Sequence, residues 1–215
     1  MTDASTTRFD FIFDPSLRGR SRVEDTLLAE TESFAVIPSL GSLVPGWLLV
    51  VPKRRVLNCG RLADRERSEL KELTGRLTEA LRRFPGRVFA FEHGSTDFGS
   101  LTGCGVDQAH MHLVPLEFDL LAAASHAVGV TWDTHSCDDI VDLIHRRDAE
   151  YVAIHDRERG CSLVGKPITQ VSQWVRKIIA AKLERSHEWD YRQAAQRDVI
   201  GMTIEALGRP PGIRA

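Results

Sequence analysis

One stretch constrains the fold more than any other. From Ala63 to Phe84 the apolar residues Leu70, Leu73, Leu77, Ala80, Leu81 and Phe84 recur at spacings of three and four. That spacing draws one apolar stripe along a helix of five to six turns. Asp64 can cap this helix or sit in its first turn, and Arg82 and Arg83 complement its carbonyl end. Pro85 and Gly86 stop it. A one-sided helix of this length must lie on something apolar, and the flanking segments supply it.

Those segments read as strands. Thr26–Ile37 contains two short runs around a turn at Glu30–Ser33, and "PSLGSLVPG" then marks a loop. Trp47–Lys53, "WLLVVPK", is continuously apolar and bounded by Gly and Pro, the pattern of a strand buried on both faces. Short turns between these runs point to an antiparallel meander rather than βαβ units. Arg87–Gly94, "RVFAFEHG", is a further strand after the helix. Beyond Pro115 the reading is mainly helical: Phe118–Gly129 as a short helix or loop, Cys137–Arg147 as a short helix, Thr169–Glu184 and Arg197–Leu207 as amphipathic helices, with one strand at Glu150–Asp156. The first 24 residues are polar around an apolar knot at Phe9–Phe13, and we expect an arm that packs loosely or covers an edge.

Composition narrows the class. A hydrophobic fraction of 42% over 215 residues suits a globular core. A formal net charge of −2 argues against a dedicated nucleic-acid binder. No apolar run is long enough for a membrane span, and "MTDASTTRFDF" lacks a signal peptide's apolar stretch, so we expect a cytoplasmic protein. Cys59, Cys104, Cys137 and Cys161 are scattered without a CxxC pair, which suits reduced thiols better than a bridge or a zinc site.

Chemistry concentrates in "CGVDQAHMHLVP", residues 104–115. Read as a strand, it puts Gln108, His110, His112 and Val114 on one face and Ala109, Met111 and Leu113 on the other. The second set feeds a core. The first sets two imidazoles ~6.6 Å apart at Cα beside an amide, enough room for a phosphate. The same spacing occurs in ordinary half-buried strands and in metal sites, for which Cys104 is the only nearby thiol. The glycines of "TGCGVD" let backbone N–H groups approach an anion, or they simply make a tight turn.

The ordered set "LVPGWLLVVPKR", helix, "FAFEHG", glycine-rich loop and "QAHMHLVP" resembles the histidine triad (HIT) superfamily, whose signature is His-φ-His-φ-His-φ-φ with φ apolar. The resemblance covers residues 26–117. It implies an α+β fold, a HIT-like antiparallel sheet of about five strands with a long helix. To this we add an N-terminal arm over 1–25 and a mostly helical C-terminal extension over 118–215. It also implies a function: a nucleotide hydrolase or nucleotidyltransferase that cleaves at the α-phosphorus through a covalent nucleotidyl-histidine. Matching by position makes His110 the nucleophile and His112 a donor to a non-bridging oxygen. Gln108 stands at the first triad position and can donate an N–H but not transfer a proton. Arg55 stands where a family histidine often follows the apolar strand. With both of those histidines replaced, we expect no metal and no cofactor.

Further substrate-binding candidates are Gly103, Cys104 and Gly105 for the anion, Glu92 and His93 for ribose or phosphate, and Arg55 for a polyphosphate. Phe34, Ile37 and Leu40 could sandwich a base or serve the core. The cluster Trp189–Arg192 reads as structural, and His126, His135, His145, His155 and His187 as surface or packing residues. The expected partner is a nucleotide, nucleoside polyphosphate or phosphoramidate, with no nucleic acid and no membrane, and the resemblance carries a homodimer with it. Two other readings stand beside this one. One is a non-catalytic nucleotide-binding module; the other is a metal-dependent hydrolase built on His110, His112 and Glu92.

Overall fold

The structure, a computed structural model, describes residues 8–17, 22–103, 106–169 and 172–208. One antiparallel sheet runs through it. Its strands are β1 (Ala29–Glu30), β2 (Phe34–Pro38), β3 (Leu48–Pro52), β4 (Arg87–Gly94), β5 (Met111–Leu116), β6 (Val130–Ser136), β7 (Tyr151–Asp156) and β8 (Cys161–Pro167). Their spatial order is β1-β2-β3-β5-β4-β7-β8-β6. The meander expected at the start is present as β1, β2 and β3.

The sheet is larger than the sequence suggested. The expected five strands are eight, because β6, β7 and β8 continue it from the second half of the chain. The C-terminal portion is therefore not mostly helical. β6 reads in sequence as "VTWDTHS", polar at every other position, because it is the edge strand and only one of its faces meets the core. β8, "CSLVGKP", carries a glycine and a lysine that weaken its strand signal.

Helices cover both faces. On one side lies α2 (Asp64–Leu81), whose buried Leu70, Leu73, Leu77 and Leu81 match the predicted stripe. Glu66 accepts from the Ala63 backbone N–H at 2.8 Å and so satisfies one of the helix's free donors. α4 (Ile140–Leu143) and the end of α6 (Arg197–Leu207) pack against the same cluster. The other side carries α3 (Leu120–Ser125) and α5 (Trp174–Lys182), packed on Trp47, Phe89, Phe91 and Val114. The strand alternation is strict: Val88 and Ala90 of β4 face α2, and Phe89 and Phe91 face α5.

The N-terminal arm is part of the core, not a loose cover. α1 (Asp10–Phe13) buries Phe11 and Ile12, and with Phe9 they pack on Ala35, Ile37, Leu49 and Val51 of β2 and β3. After α2, the chain turns at Gly86 with φ of +93°. A Cβ there would stand 2.2 Å from the Leu116 carbonyl, so only glycine allows this entry into β4.

Candidate functional site

Between the arm and α5, on the face that bears Trp47 and Phe91, lies a partly open pocket. Its walls include His93, His110 and His112, and the cations Arg8 and Arg176. Each imidazole is placed by a different backbone device.

His112 sits in β5, level with Leu49 of β3 and Phe91 of β4. Its ring stacks on Phe91 at 4.2 Å with a 6° tilt. The Trp47 indole Nε1–H donates to His112 Nδ1 at 3.0 Å. Indole nitrogen is only a donor, so Nδ1 is the acceptor and the ring's proton is on Nε2. Burial holds this imidazole well below its usual pKa, helped by His110, His93 and the two arginines. It is a neutral donor at pH 7.

His110 stands just before β5, half-buried, where the chain is held by Ala109 N–H donating to the Val56 carbonyl at 2.6 Å. Its Nδ1 lies 2.9 Å from the Gln108 carbonyl oxygen. A carbonyl only accepts, so Nδ1 carries the proton and Nε2 keeps its lone pair. Burial lowers the pKa of this ring, while the Gln108 carbonyl opposes the shift. Its centroid is 5.0 Å from that of His112 and 5.5 Å from that of Phe9.

His93 is near the end of β4, only 6% exposed. Its Nε2 accepts the Val175 backbone N–H from the first turn of α5 at 3.2 Å, so its proton sits on Nδ1. Burial, with His110 and Arg176 nearby, pushes its pKa down to about 3.

The cations come from outside the region of the motif. Arg176, 3% exposed, donates through Nε to the Trp189 carbonyl at 3.0 Å and through a terminal nitrogen to the Gly41 carbonyl. Its guanidinium lies 4.7 Å above the Trp47 ring. Arg8 donates to the Glu24 carbonyl at 3.2 Å and lies over Phe9. Backbone carbonyls and rings help to fix both positions, and Arg8 also pairs with the Asp25 carboxylate at 3.9 Å.

The sequence candidates divide. His110, His112 and His93 come together. Gln108 does not join them: its side chain is buried and its amide nitrogen donates to the carbonyls of Pro52 and Arg54, both at 3.0 Å. It ties the start of β5 to the end of β3. Glu92 faces the opposite side of β4, where it accepts from the Cys59 N–H and the Tyr151 hydroxyl. The set His110, His112 and Glu92 therefore does not converge. Among the described residues no group of three or more His, Cys, Asp or Glu side chains is placed to hold a metal. Arg55 pairs with Asp10 at 2.8 Å and lies 4.6 Å above Phe13, pinning the arm rather than lining the pocket. Lys53 pairs with Glu30 and Arg54 with Glu66. Gly103 packs against Ser95 outside the pocket lining; Cys104 and Gly105 lie outside the described residues.

Of the apolar trio, Leu40 lines the pocket, Phe34 packs under α2 and Ile37 under the arm. In the 188–193 cluster the structural role is present, since Asp190 accepts from the Gln173 amide at 3.3 Å and Trp189 anchors Arg176. Tyr191 also reaches the pocket wall. Sequence reasoning missed Arg8 and Arg176. Arg8 precedes the apolar knot and Arg176 lies one residue past the apolar pair Trp174–Val175, yet no local spacing ties either to the histidines.

No helix among the described residues is long and apolar enough to cross a membrane. No family model matches the chain, and no curated protein matches it. Among solved structures it is similar to a crystal structure titled as a Hit-like protein involved in cell-cycle regulation from Bartonella henselae, with unknown ligand. The match has 15% identity and a TM-score of 0.40, and spans 52% of this chain and 80% of that one.

Proposed function

We propose that this chain is a nucleotidyl hydrolase or transferase that works at the α-phosphorus of a nucleotide through His110, in the manner of the histidine triad superfamily its motif resembles. The observation that carries the reading is the 2.9 Å contact between His110 Nδ1 and the Gln108 carbonyl. It presents a neutral imidazole with a free Nε2 lone pair, the form that attacks phosphorus.

In the first step Nε2 bonds to the α-phosphorus and the bond from phosphorus to the leaving oxygen breaks, the electron pair departing with that oxygen. The ring becomes an imidazolium, and the Gln108 carbonyl faces its Nδ1–H and stabilises the charge. His112 donates Nε2–H to a non-bridging oxygen, and Arg8 and Arg176 supply positive charge around it. In the second step water or another hydroxyl acceptor adds to phosphorus and loses its proton to solvent, the P–N bond breaks and His110 regains its lone pair.

The site's imidazoles are all held below their usual pKa, so none is a cationic acid at pH 7. Gln108 is turned away and could not give up a proton in any case. The leaving group must then depart unprotonated. This favours nucleoside polyphosphates and nucleotide sugars, whose phosphate leaving groups need no proton, over phosphoramidates.

The test is a quenched reaction with α-³²P-labelled nucleotides. Wild type should retain acid-labile, base-stable label, and His110→Ala should lose both label and turnover by at least about 10³-fold. No label and no turnover across a nucleotide panel would leave a binding module; loss of turnover with a chelator would point to a metal.

A further inference from the structure

Adjacent to the nucleophile is a buried hydrogen-bond donor that the fold leaves unmatched. His93 is more than nine-tenths buried, it lines the pocket, and its Nδ1 has no hydrogen-bond partner among the described residues. Burying an imidazole N–H without an acceptor is costly, and native structures rarely do it without a reason. The ring cannot escape by exchanging tautomers. The Val175 N–H occupies Nε2, so the proton stays on Nδ1.

Its place in the sheet is equally specific. Phe91 is level with His112 at the end of the β4–β5 ladder, and continuing that register by two residues puts His93 beside His110. Two of the imidazoles share Phe91 as a common wall: His112 stacks on it at 4.2 Å, and His93 meets it edge-on at 5.8 Å; His110 lies 5.0 Å from His112. His112 comes from β5, His110 from the residue just before it and His93 from β4. The signature that the motif resembles would draw all three from one strand, but at its first position this chain has Gln108, bonded to Pro52 and Arg54.

We propose, resting on the reading of the pocket as a nucleotide site, that His93 completes it as a phosphate-binding residue: its Nδ1–H donates to an oxygen of the substrate's phosphate, and so supplies across the sheet the imidazole that position 108 lacks. The N–H of a neutral ring is a donor, not an acid, so His93 contributes hydrogen bonding and no proton transfer. The acceptor it fits is an anionic oxygen, because Arg8 and Arg176 border the same space. A consequence is that the C-terminal half is a working part of the site. The backbone of α5 fixes the His93 tautomer, and a chain ending after β5 would lose it.

Two measurements test this, with AMP and inorganic phosphate as probes. AMP offers an anionic α-phosphate but no phosphate leaving group, so its binding is read apart from turnover. Long-range ¹H–¹⁵N spectra of wild type should show His93 protonated on Nδ1, with that signal shifting when either probe is added. By titration calorimetry His93→Leu should bind AMP about 10- to 100-fold more weakly, the loss of one hydrogen bond to a charged group. His93→Asn, whose amide nitrogen falls near the position of Nδ1, should recover most of it. An Nε2-protonated His93, an Nδ1 signal unmoved by both probes, or unchanged AMP binding in His93→Leu overturns the assignment. The α-³²P label separates this from the covalent reading. Absence of label on wild type, with weakened AMP binding in His93→Leu, would end the nucleotidyl-histidine route and leave His93 as a phosphate ligand.

Discussion

Glu92 and His93 are neighbours in β4, both buried, and point to opposite faces of the sheet. Glu92, 1% exposed, is engaged through both oxygens, with the Cys59 N–H on one and the Tyr151 hydroxyl on the other. Even the backbone around it is shaped to that network: a Cβ on Gly94 would stand 2.2 Å from the Tyr151 ring. His93 has one nitrogen engaged and one not. A buried polar group with every bond made serves the fold, whereas a bond left over on a pocket wall asks for a reason. At Glu92 the α2 face of this sheet is finished; at His93 the α5 face is open.

The largest expected effect tests the finished face. Glu92→Leu keeps roughly the same volume but leaves the Tyr151 hydroxyl and the Cys59 N–H without an acceptor. At about 1–3 kcal/mol for each, stability should fall by about 2–6 kcal/mol, and Tm by about 5–20 °C. Thermal melting gives the first number, and the folded fraction of the same variant should still take label at His110. A variant with wild-type Tm that cannot be labelled would erase the distinction between the faces.

The two faces should also answer pH with opposite sign. The His93 pKa falls on folding, to about 3, so the unfolded chain binds the proton more readily. Its contribution is full above about pH 6.5 and is lost as pH falls toward 3; at pH 5 the loss is about 2 kcal/mol. Burial raises the Glu92 pKa instead, so its contribution is present in acid and is lost as pH rises through the folded value. Denaturant midpoints across pH 4–8 should show His93→Asn gaining on wild type toward acid. Glu92→Gln should gain on wild type toward neutral pH. The same sign in both variants would mean that one of the two environments is misjudged.

The sequence revealed these two faces unequally. The α2 stripe, the β2 and β3 runs and the alternation through Ala109, Met111 and Leu113 follow from period alone, because each buries a continuous apolar face. His110 and His112, before and within β5, were visible for the same reason: polar side chains on alternate positions of an otherwise apolar segment. What could not be read is what arrives from far along the chain. Arg8 and Arg176 meet the histidines only because the arm and α5 fold over the same face of the sheet. β6 and β8 escaped because an edge strand needs only half an apolar pattern and a glycine-bearing one shows less. Nor does sequence say that the Gln108 amide turns toward β3, a choice made by the carbonyls of Pro52 and Arg54.

The smallest effect belongs to Arg55, where a motif position and a contact disagree. By its place after the apolar strand it should meet a polyphosphate. In the fold it pairs with Asp10 and lies over Phe13, with its side chain 47% exposed. An exposed pair and an exposed cation–π contact contribute about 2 kcal/mol together at most. The arm does not depend on them, since Phe9, Phe11 and Ile12 are buried against β2 and β3. Arg55→Ala should therefore lower Tm by only a few degrees and leave kcat and KM for a nucleotide within about twofold. A tenfold rise in KM without loss of stability would move Arg55 from the arm to the substrate. The open face would then extend past its histidines to the end of β3.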